Sequence, residues 1–225
     1  MFKAGVYYLP MKIYKTAVIS TFSILLIAAI WLGLPPEESY IPAYALASKV
    51  VVIDPGHGGC DPGASRGAYV EKDITLAISQ HLARQLSEAG AMVVMLRAQR
   101  ANEVKADLYI SIHTNADPSP RWYGAQVFYD ASSKPSKLTA VMIQEEITKQ
   151  LGNTKRKAAP GDYYILRNTQ MPAVIVEVGF ISNPQEASLL ADNDYQVKMA
   201  QAIFAGIAQA QVRTYDTEIE LYPNW

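Results

Sequence analysis

The stretch VVIDPGHGG, residues 51–59, joins a run of β-branched residues to a turn made of proline, glycines and one histidine. Val51, Val52 and Ile53 suit a buried strand, because branched side chains pack well on a pleated surface. Asp54, Pro55, Gly56, Gly58 and Gly59 then end the strand and turn the chain. His57, set among those glycines, fills no core. Open α/β sheets place their chemistry at the carboxyl ends of strands, so this strand end is the first candidate site.

Working outward, the pattern repeats. Ile74, Ile78, Leu82 and Leu86 recur every four residues, which predicts an amphipathic helix from about Lys72 to Ala89, closed by Gly90. AMVVML (91–96) and LYISIH (108–113) predict a second and a third strand, and GAQVFYD (124–130) predicts an edge strand. Leu138, Met142 and Leu151 mark a helix that ends near Gly152. YYIL (163–166) and AVIVEVGF (173–180) read as two more strands. Asn183, Pro184 and Glu186 supply a cap, a first-turn proline and an N3 carboxylate, the signature of a helix start. A last helix is expected from about Tyr195 to Ala210, and RTYDTEIELYPNW (213–225) shows no periodicity. Strands alternating with helices predict one α/β domain with a mostly parallel sheet flanked by helices, over residues 49–211, followed by a tail at 212–225.

The link from the second strand to the third, RAQRANEVKAD (97–107), is short for a parallel crossover, which needs a dozen or more residues. Its best apolar positions are Ala98, Ala101 and Val104. The expectation is a second strand that is poorly covered.

Composition sets outer limits. The chain has 225 residues, 50% of them hydrophobic, with a formal net charge of −1. That size supports one sizeable core, and that charge gives no bulk attraction to nucleic acid. The single cysteine, Cys60, excludes an internal disulfide. Thr16–Leu34 carries no charge and, at about 1.5 Å per residue, is long enough to cross a ~30 Å hydrocarbon layer. Lys3, Lys12 and Lys15 precede it, so the expected topology puts residues 1–15 in the cytoplasm and everything after Leu34 outside. ALA at Ala45–Ala47 has the form of a signal cleavage site, which leaves a retained anchor and a cleaved signal both open. Residues 35–48, with three prolines and no apolar period, read as a linker.

Two other strand ends match the first. LYISIH ends in His113, AVIVEV carries Glu177 near its exit, and Glu71 opens the helix after the first strand. Imidazole nitrogens and carboxylate oxygens are good zinc donors, and three protein ligands leave a position open for water. His57, Glu71 and His113 fit that role, with Glu177 free to act as a base. Each residue also has a plain reading. His57 could be a turn residue, His113 a satisfied strand-end histidine, and Glu71 a carboxylate at a helix N-terminus. Glu177 could form a salt bridge with Arg167. His81 lies beside an apolar stripe, and Cys60 is read as a thiol without a role. A phosphate-binding loop is excluded, because no Gly-Lys-Ser/Thr ending is present and Asp61 stands where G-x-G-x-x-G needs its third glycine.

Whole strings decide between these readings. VVIDPGHGGCDPGA, EKDITL, ADLYISIHTNA and MPAVIVEVGFISNPQEA resemble, in order, the motifs of the zinc-dependent N-acetylmuramoyl-L-alanine amidases of the amidase-3 type, over roughly Val50 to Ala210. The resemblance implies a phosphorylase/hydrolase-like α/β fold, Zn2+ bound by His57, Glu71 and His113, and a catalytic Glu177. It implies peptidoglycan as substrate, cut between N-acetylmuramic acid and L-alanine. Asn115 and Arg167 are candidate substrate-binding residues. WYGAQVFYD and NTKRKA resemble the germination and sporulation branch, which implies cortex peptidoglycan and muramic δ-lactam formation. The chain departs from the family at Cys60, where a lysine is frequent, and at 97–107, where a Thr-Arg-x-x-Asp stretch and a fuller helix are missing. Two other classes stay open at this stage: a non-catalytic, membrane-anchored peptidoglycan-binding protein on the same fold, and a zinc peptidase cutting within the stem peptide.

Overall fold

The computed structural model describes residues 45–96 and 98–221. In chain order these form β1 (Val50–Pro55), a two-stranded ribbon of β2 (Ser65–Arg66) and β3 (Tyr69–Val70), α1 (Glu71–Glu88), β4 (Met92–Met95) and α2 (Ala98–Ala101). There follow β5 (Leu108–Asn115), β6 (Gln126–Tyr129), α3 (Lys134–Leu151), β7 (Ala159–Pro160) and α4 (Tyr164–Asn168). The last elements are β8 (Ala173–Phe180), α5 (Pro184–Leu190) and α6 (Asn193–Leu221). The expected membrane segment Thr16–Leu34, residues 1–15 and most of the linker lie outside the described residues. Among the described residues no helix is long and apolar enough to cross a membrane.

Among the described residues the main sheet has six strands in the order β4-β1-β5-β8-β6-β7. β4, β1, β5 and β8 run parallel, while β6 is antiparallel to β8. The mostly parallel α/β architecture expected from the alternation is therefore present. Side chains alternate across a strand, so each strand feeds two cores. Val51, Ile53, Ile110, Ile112, Val174 and Val176 pack with α1, α3 and α6 on one face. Val52, Tyr109, Ala173 and Ile175 pack with Ala101 and Leu166 on the other. The first face is the larger, and Gly206 of α6 lets it close, since a Cβ there would collide with the Ile143 backbone of α3.

Several local rules act as written in the chain. Asn183 caps α5, its Oδ1 accepting from the N–H groups of Gln185 and Glu186 at 2.9 and 3.2 Å. Gly152 ends α3 in the left-handed region with φ 66°, where a Cβ would be strained.

Elsewhere the structure corrects the sequence reading. YYIL is no strand: Tyr163 is extended and Tyr164–Asn168 form a short helix, with Leu166 as its buried residue. A four-residue apolar run carries too few positions for a helical and a strand period to be told apart. β6 is not the edge, because β7 pairs with it on the outer side. The helical backbone of α6 runs through the segment read as aperiodic, to Leu221. Packing also starts before Lys49, since Ala45 and Leu46 are buried and Leu46 joins the larger core.

The poorly covered second strand is seen in β4. Met92 is 64% exposed and Met95 39%. The crossover after it forms a single helical turn, α2.

Candidate metal centre and active site

The carboxyl ends of β1, β5 and β8 lie side by side in the sheet, and the loop after β1 returns across them to start α1. Glu71 is the first residue of α1 and is 3% exposed as a side chain. Its two oxygens face two imidazoles: Oε2 lies 3.3 Å from His57 Nε2, and Oε1 lies 3.2 Å from His113 Nδ1. Two backbone amides aim the carboxylate, Ala64 N–H at 2.9 Å and Thr114 N–H at 2.8 Å. Ligand atoms of His57, Glu71 and His113 all lie within 4.8 Å of one another, the one such cluster of ligating residues among those described. The two imidazole rings meet edge to face, with centroids 5.1 Å apart.

The turn explains how His57 gets there. Its φ of 62° lies in the left-handed region, which costs a non-glycine residue about 1–2 kcal/mol. The turn is held by paired bonds between Gly58 and Asp61, N–H to carbonyl in both directions at 2.8 and 3.1 Å. Asp61 Oδ2 accepts from His57 Nδ1 at 2.8 Å, which leaves Nε2 as the nitrogen facing the cluster. Thr75 of α1 donates to Gly56 O at 2.8 Å and ties helix to turn. Two glycines make room. A Cβ on Gly56 would stand 2.6 Å from His113 Nδ1, and one on Gly63, at φ 68°, would stand 2.6 Å from His57 Cδ2 and 2.7 Å from Glu71 Oε2.

Glu177 stands directly across from His113 in the β5–β8 register. Its Oε2 is buried and has no hydrogen-bond partner among the described residues. A buried carboxylate oxygen left unpaired is costly, so such groups are rare outside functional sites. Burial pushes the Glu177 carboxyl up to about 7, the charge of Glu71 adds to this, and the His113 and His57 charges work against it. The salt bridge to Arg167 is not formed: that guanidinium pairs with Asp162.

The two neighbouring groups are instead held toward their charged forms. Burial raises Glu71, but hydrogen bonds from His113, Ala64 and Thr114 and the His57 charge outweigh it, and the carboxyl sits below its ordinary value. Burial lowers His113, but its bond to Glu71 and the charges of Glu177, Glu71 and Asp54 hold it above the ordinary histidine range. Two carboxylates in one site are thus pushed apart in acidity, which is how acid–base roles are separated.

Of the other candidates, Asn115 lies past a register shift in β5, and its side-chain amide makes no hydrogen bond among the described residues. Arg167 lies on α4 and is engaged by Asp162. Cys60 is exposed and stands outside the cluster. Sequence reading missed four contributors. Asp61 holds His57, and Gly63 packs on it. Asp54, bonded by Tyr109 Oη at 2.5 Å, acts on His113 from within the sheet. The Tyr163 phenol, raised by burial and then by the Glu177 charge, lies near that carboxylate, and its ring packs on Phe128 at 5.5 Å. Only for Asp61 was a signal present, as a carboxylate four residues after a turn histidine.

The donor set fits a metal ion. Two imidazoles and one carboxylate converge within one ion's reach, a second carboxylate pins the outer histidine, and glycines line the space beside them.

Comparison with known proteins gives the family. Residues 51–209 match the Amidase_3 family, N-acetylmuramoyl-L-alanine amidase. The germination-specific N-acetylmuramoyl-L-alanine amidase of Bacillus subtilis (strain 168) is 40% identical over 198 residues, 76% of this chain and 84% of that protein. The CwlD amidase of Clostridioides difficile, solved in complex with the GerS lipoprotein, superposes with a TM-score of 0.72 at 32% identity, covering 74% of this chain and 100% of that one. An N-acetylmuramoyl-L-alanine amidase from Clostridium difficile 630 gives 0.69 at 30% identity, over 76% of this chain and 98% of that one. The match runs from β1 into α6 and takes in the whole sheet between them, and the chain belongs to the N-acetylmuramoyl-L-alanine amidase family.

Proposed function

We propose that His57, Glu71 and His113 hold Zn2+, and that Glu177 is the general base and then acid for hydrolysis of the amide between N-acetylmuramic acid and L-alanine. The observation that carries this reading is Glu177 Oε2, a buried and unpartnered carboxylate oxygen beside a His/Glu/His cluster. Bound there, zinc would supply Lewis acidity at the scissile carbonyl. Glu177, with a pKa near 7, takes a proton from the attacking water as oxygen adds to the carbonyl carbon. It returns that proton to the nitrogen as the C–N bond breaks, so the products are a muramoyl carboxylate and the free amine of L-alanine. Asp61 keeps His57 in one tautomer throughout. Gly56, Gly58 and Gly59 leave the approach clear for a bulky glycan. Asn115 binds substrate through its unengaged amide, and Arg167 is a second contact if Asp162 releases it.

The finer assignments belong to the same reading. The relation to a germination-specific enzyme supports spore cortex as the substrate and δ-lactam formation as the outcome. Thr16–Leu34 supports an extracytoplasmic domain that is anchored or exported. The C. difficile complex with the GerS lipoprotein supports a protein partner for this chain as well.

The test is to incubate the full-length protein with purified muropeptides and weigh the products. A free stem peptide beginning with L-alanine, together with unsubstituted muramic acid, is expected. A peptide shortened from within would identify a peptidase, and binding without a new amine would identify a non-catalytic binder.

A further inference from the structure

Near the candidate active site lies a second hollow, of about 530 Å³, lined by Ser119, Arg121, Trp122, Tyr123, Lys155 and Arg156. Three of these side chains are cationic and none is a carboxylate. Lys155 and Arg156 come from NTKRKA, Trp122 and Tyr123 from WYGAQVFYD, and Arg121 directly precedes the latter; the hydrolytic chemistry assigns these stretches no task.

The hollow is rigidly built. Asn183 Nδ2 donates to the carbonyls of Pro120 and Trp122 at 3.0 and 3.2 Å, and Glu186 accepts from Gly124 N–H at 2.9 Å, so the loop after β5 is braced by the start of α5. Arg156 is the pivot. Its guanidinium lies over the Trp122 ring at 5.4 Å and the Phe180 ring at 4.8 Å. Its Nε donates to Tyr123 O at 2.9 Å and its Nη1 to Gln126 Oε1 at 3.1 Å. Among the described residues Nη2 makes no hydrogen bond. Glu186 is within electrostatic reach of Arg156, but its carboxylate is buried on the amides of Gly124 and Phe180.

Gln126 links the hollow to the chemistry, since it pairs in register with Glu177 on the next strand, about 4.8 Å away. The two places therefore adjoin on the sheet.

The lining chooses the ligand. One face of Trp122 carries the Arg156 guanidinium. Three cations with a spare guanidinium edge call for an anion. In peptidoglycan the lactyl carboxyl is tied up in the scissile amide, and the free carboxylates belong to the peptide.

We propose that Arg121, Lys155 and Arg156 form a subsite for a free carboxylate of the stem peptide, so that the enzyme reads the charge state of the peptide beside the bond it cuts. This rests on the amidase reading above and adds a specificity device to it.

The experiment titrates the detergent-solubilised full-length chain, by calorimetry, with a synthetic stem tripeptide that begins with L-alanine. It is supplied in free-acid form and in fully amidated form. The probe is a product and is not cleaved, so binding is read independently of turnover. The free acid is expected to bind on the order of tenfold tighter, the scale of one charge-assisted contact. R121Q/K155Q, two exposed substitutions with little bearing on stability, is expected to bind both forms equally. Equal affinity of the native chain for the two forms, binding of neither, or a preference that survives in R121Q/K155Q would overturn the inference. A native chain that prefers the acid but releases no amine from muropeptides would instead sink the hydrolytic reading and leave the subsite standing.

Discussion

Strands β5 and β8 and strand β4 belong to the same parallel ladder but have different surroundings. Leu108–Ile112 of β5 and Ala173–Val176 of β8 are buried without exception, while no residue of β4 is fully buried. β5 and β8 are central, with helices on both faces. β4 is an edge, and the chain after it has one helical turn with which to cover it. The comparison teaches where the molecule can be thin. His113 and Glu177 are carried by the two best-covered strands, and His57 by the end of β1 between β4 and β5. His113 and Glu177 are separated from the weak edge by β1, and His57, in the turn after β1, is the one ligand candidate that adjoins it. A shortened crossover therefore costs local protection at β4 while the register that aligns the site residues stays in the sheet's centre.

The sharpest way to break this comparison is to remove the metal. Dialysis against a chelator should reduce amide hydrolysis to background, with recovery on adding Zn2+, and His57→Ala should show no bound metal by elemental analysis. If activity is lost but the unfolding midpoint also collapses, the centre of the sheet depends on the ion and is not the independent frame described here.

Glu177→Gln should come next in size. The amide keeps the shape of the side chain and cannot take a proton, so kcat should fall by about 10²–10⁴-fold, the usual contribution of a general acid–base group. Metal content should stay at the native level. Near-native turnover in this variant would remove Glu177 from the mechanism.

Packing offers a direct contrast. Ile110→Ala, at a fully buried position in β5, should cost about 2–5 kcal/mol in denaturant unfolding. Val93→Ala, half-buried in β4, should cost at most about 1.5 kcal/mol. An equal or larger loss at Val93 would show that the edge carries as much of the stability as the centre.

The subtlest effect needs no substitution. Hydrogen exchange on the metal-loaded protein should show amides in 92–95 opening well before those in 108–113 and 173–178. Uniform protection across the three segments would mean that the short crossover is tolerated without local cost.

The order of strands and helices was legible because long apolar patterns have a period: α1 repeats every four residues, and β1, β5 and β8 are continuous buried runs ending at polar or glycine-rich turns. The donors of the site were legible for a related reason. A histidine among glycines, a histidine ending an apolar run and a glutamate interrupting another stand out against a core that has no other use for them. Tyr163 was hidden, because YYIL is too short to show which period it follows, and its place near Glu177 depends on the short helix that follows it. Asp61 stood in the sequence as a residue that spoiled a glycine motif, although its place four residues after His57 was a usable signal. Its bond to His57 exists because the turn puts His57 at φ 62°, a conformation that side-chain chemistry alone disfavours.

By itself, then, the chain determined which residues could ligate or carry protons and which elements would bear them, since residue type and local period are properties of neighbouring positions. Tertiary structure alone decided which of them meet. His113 reaches Glu71 across 42 positions, and Glu177 faces His113 only because β5 and β8 pair in one register out of several. The unpartnered oxygen of Glu177 was decided the same way. Arg167 was a possible partner on paper, and folding gave that arginine to Asp162. Burial and long-range pairing are set by the whole sheet, and no local stretch of sequence contains them.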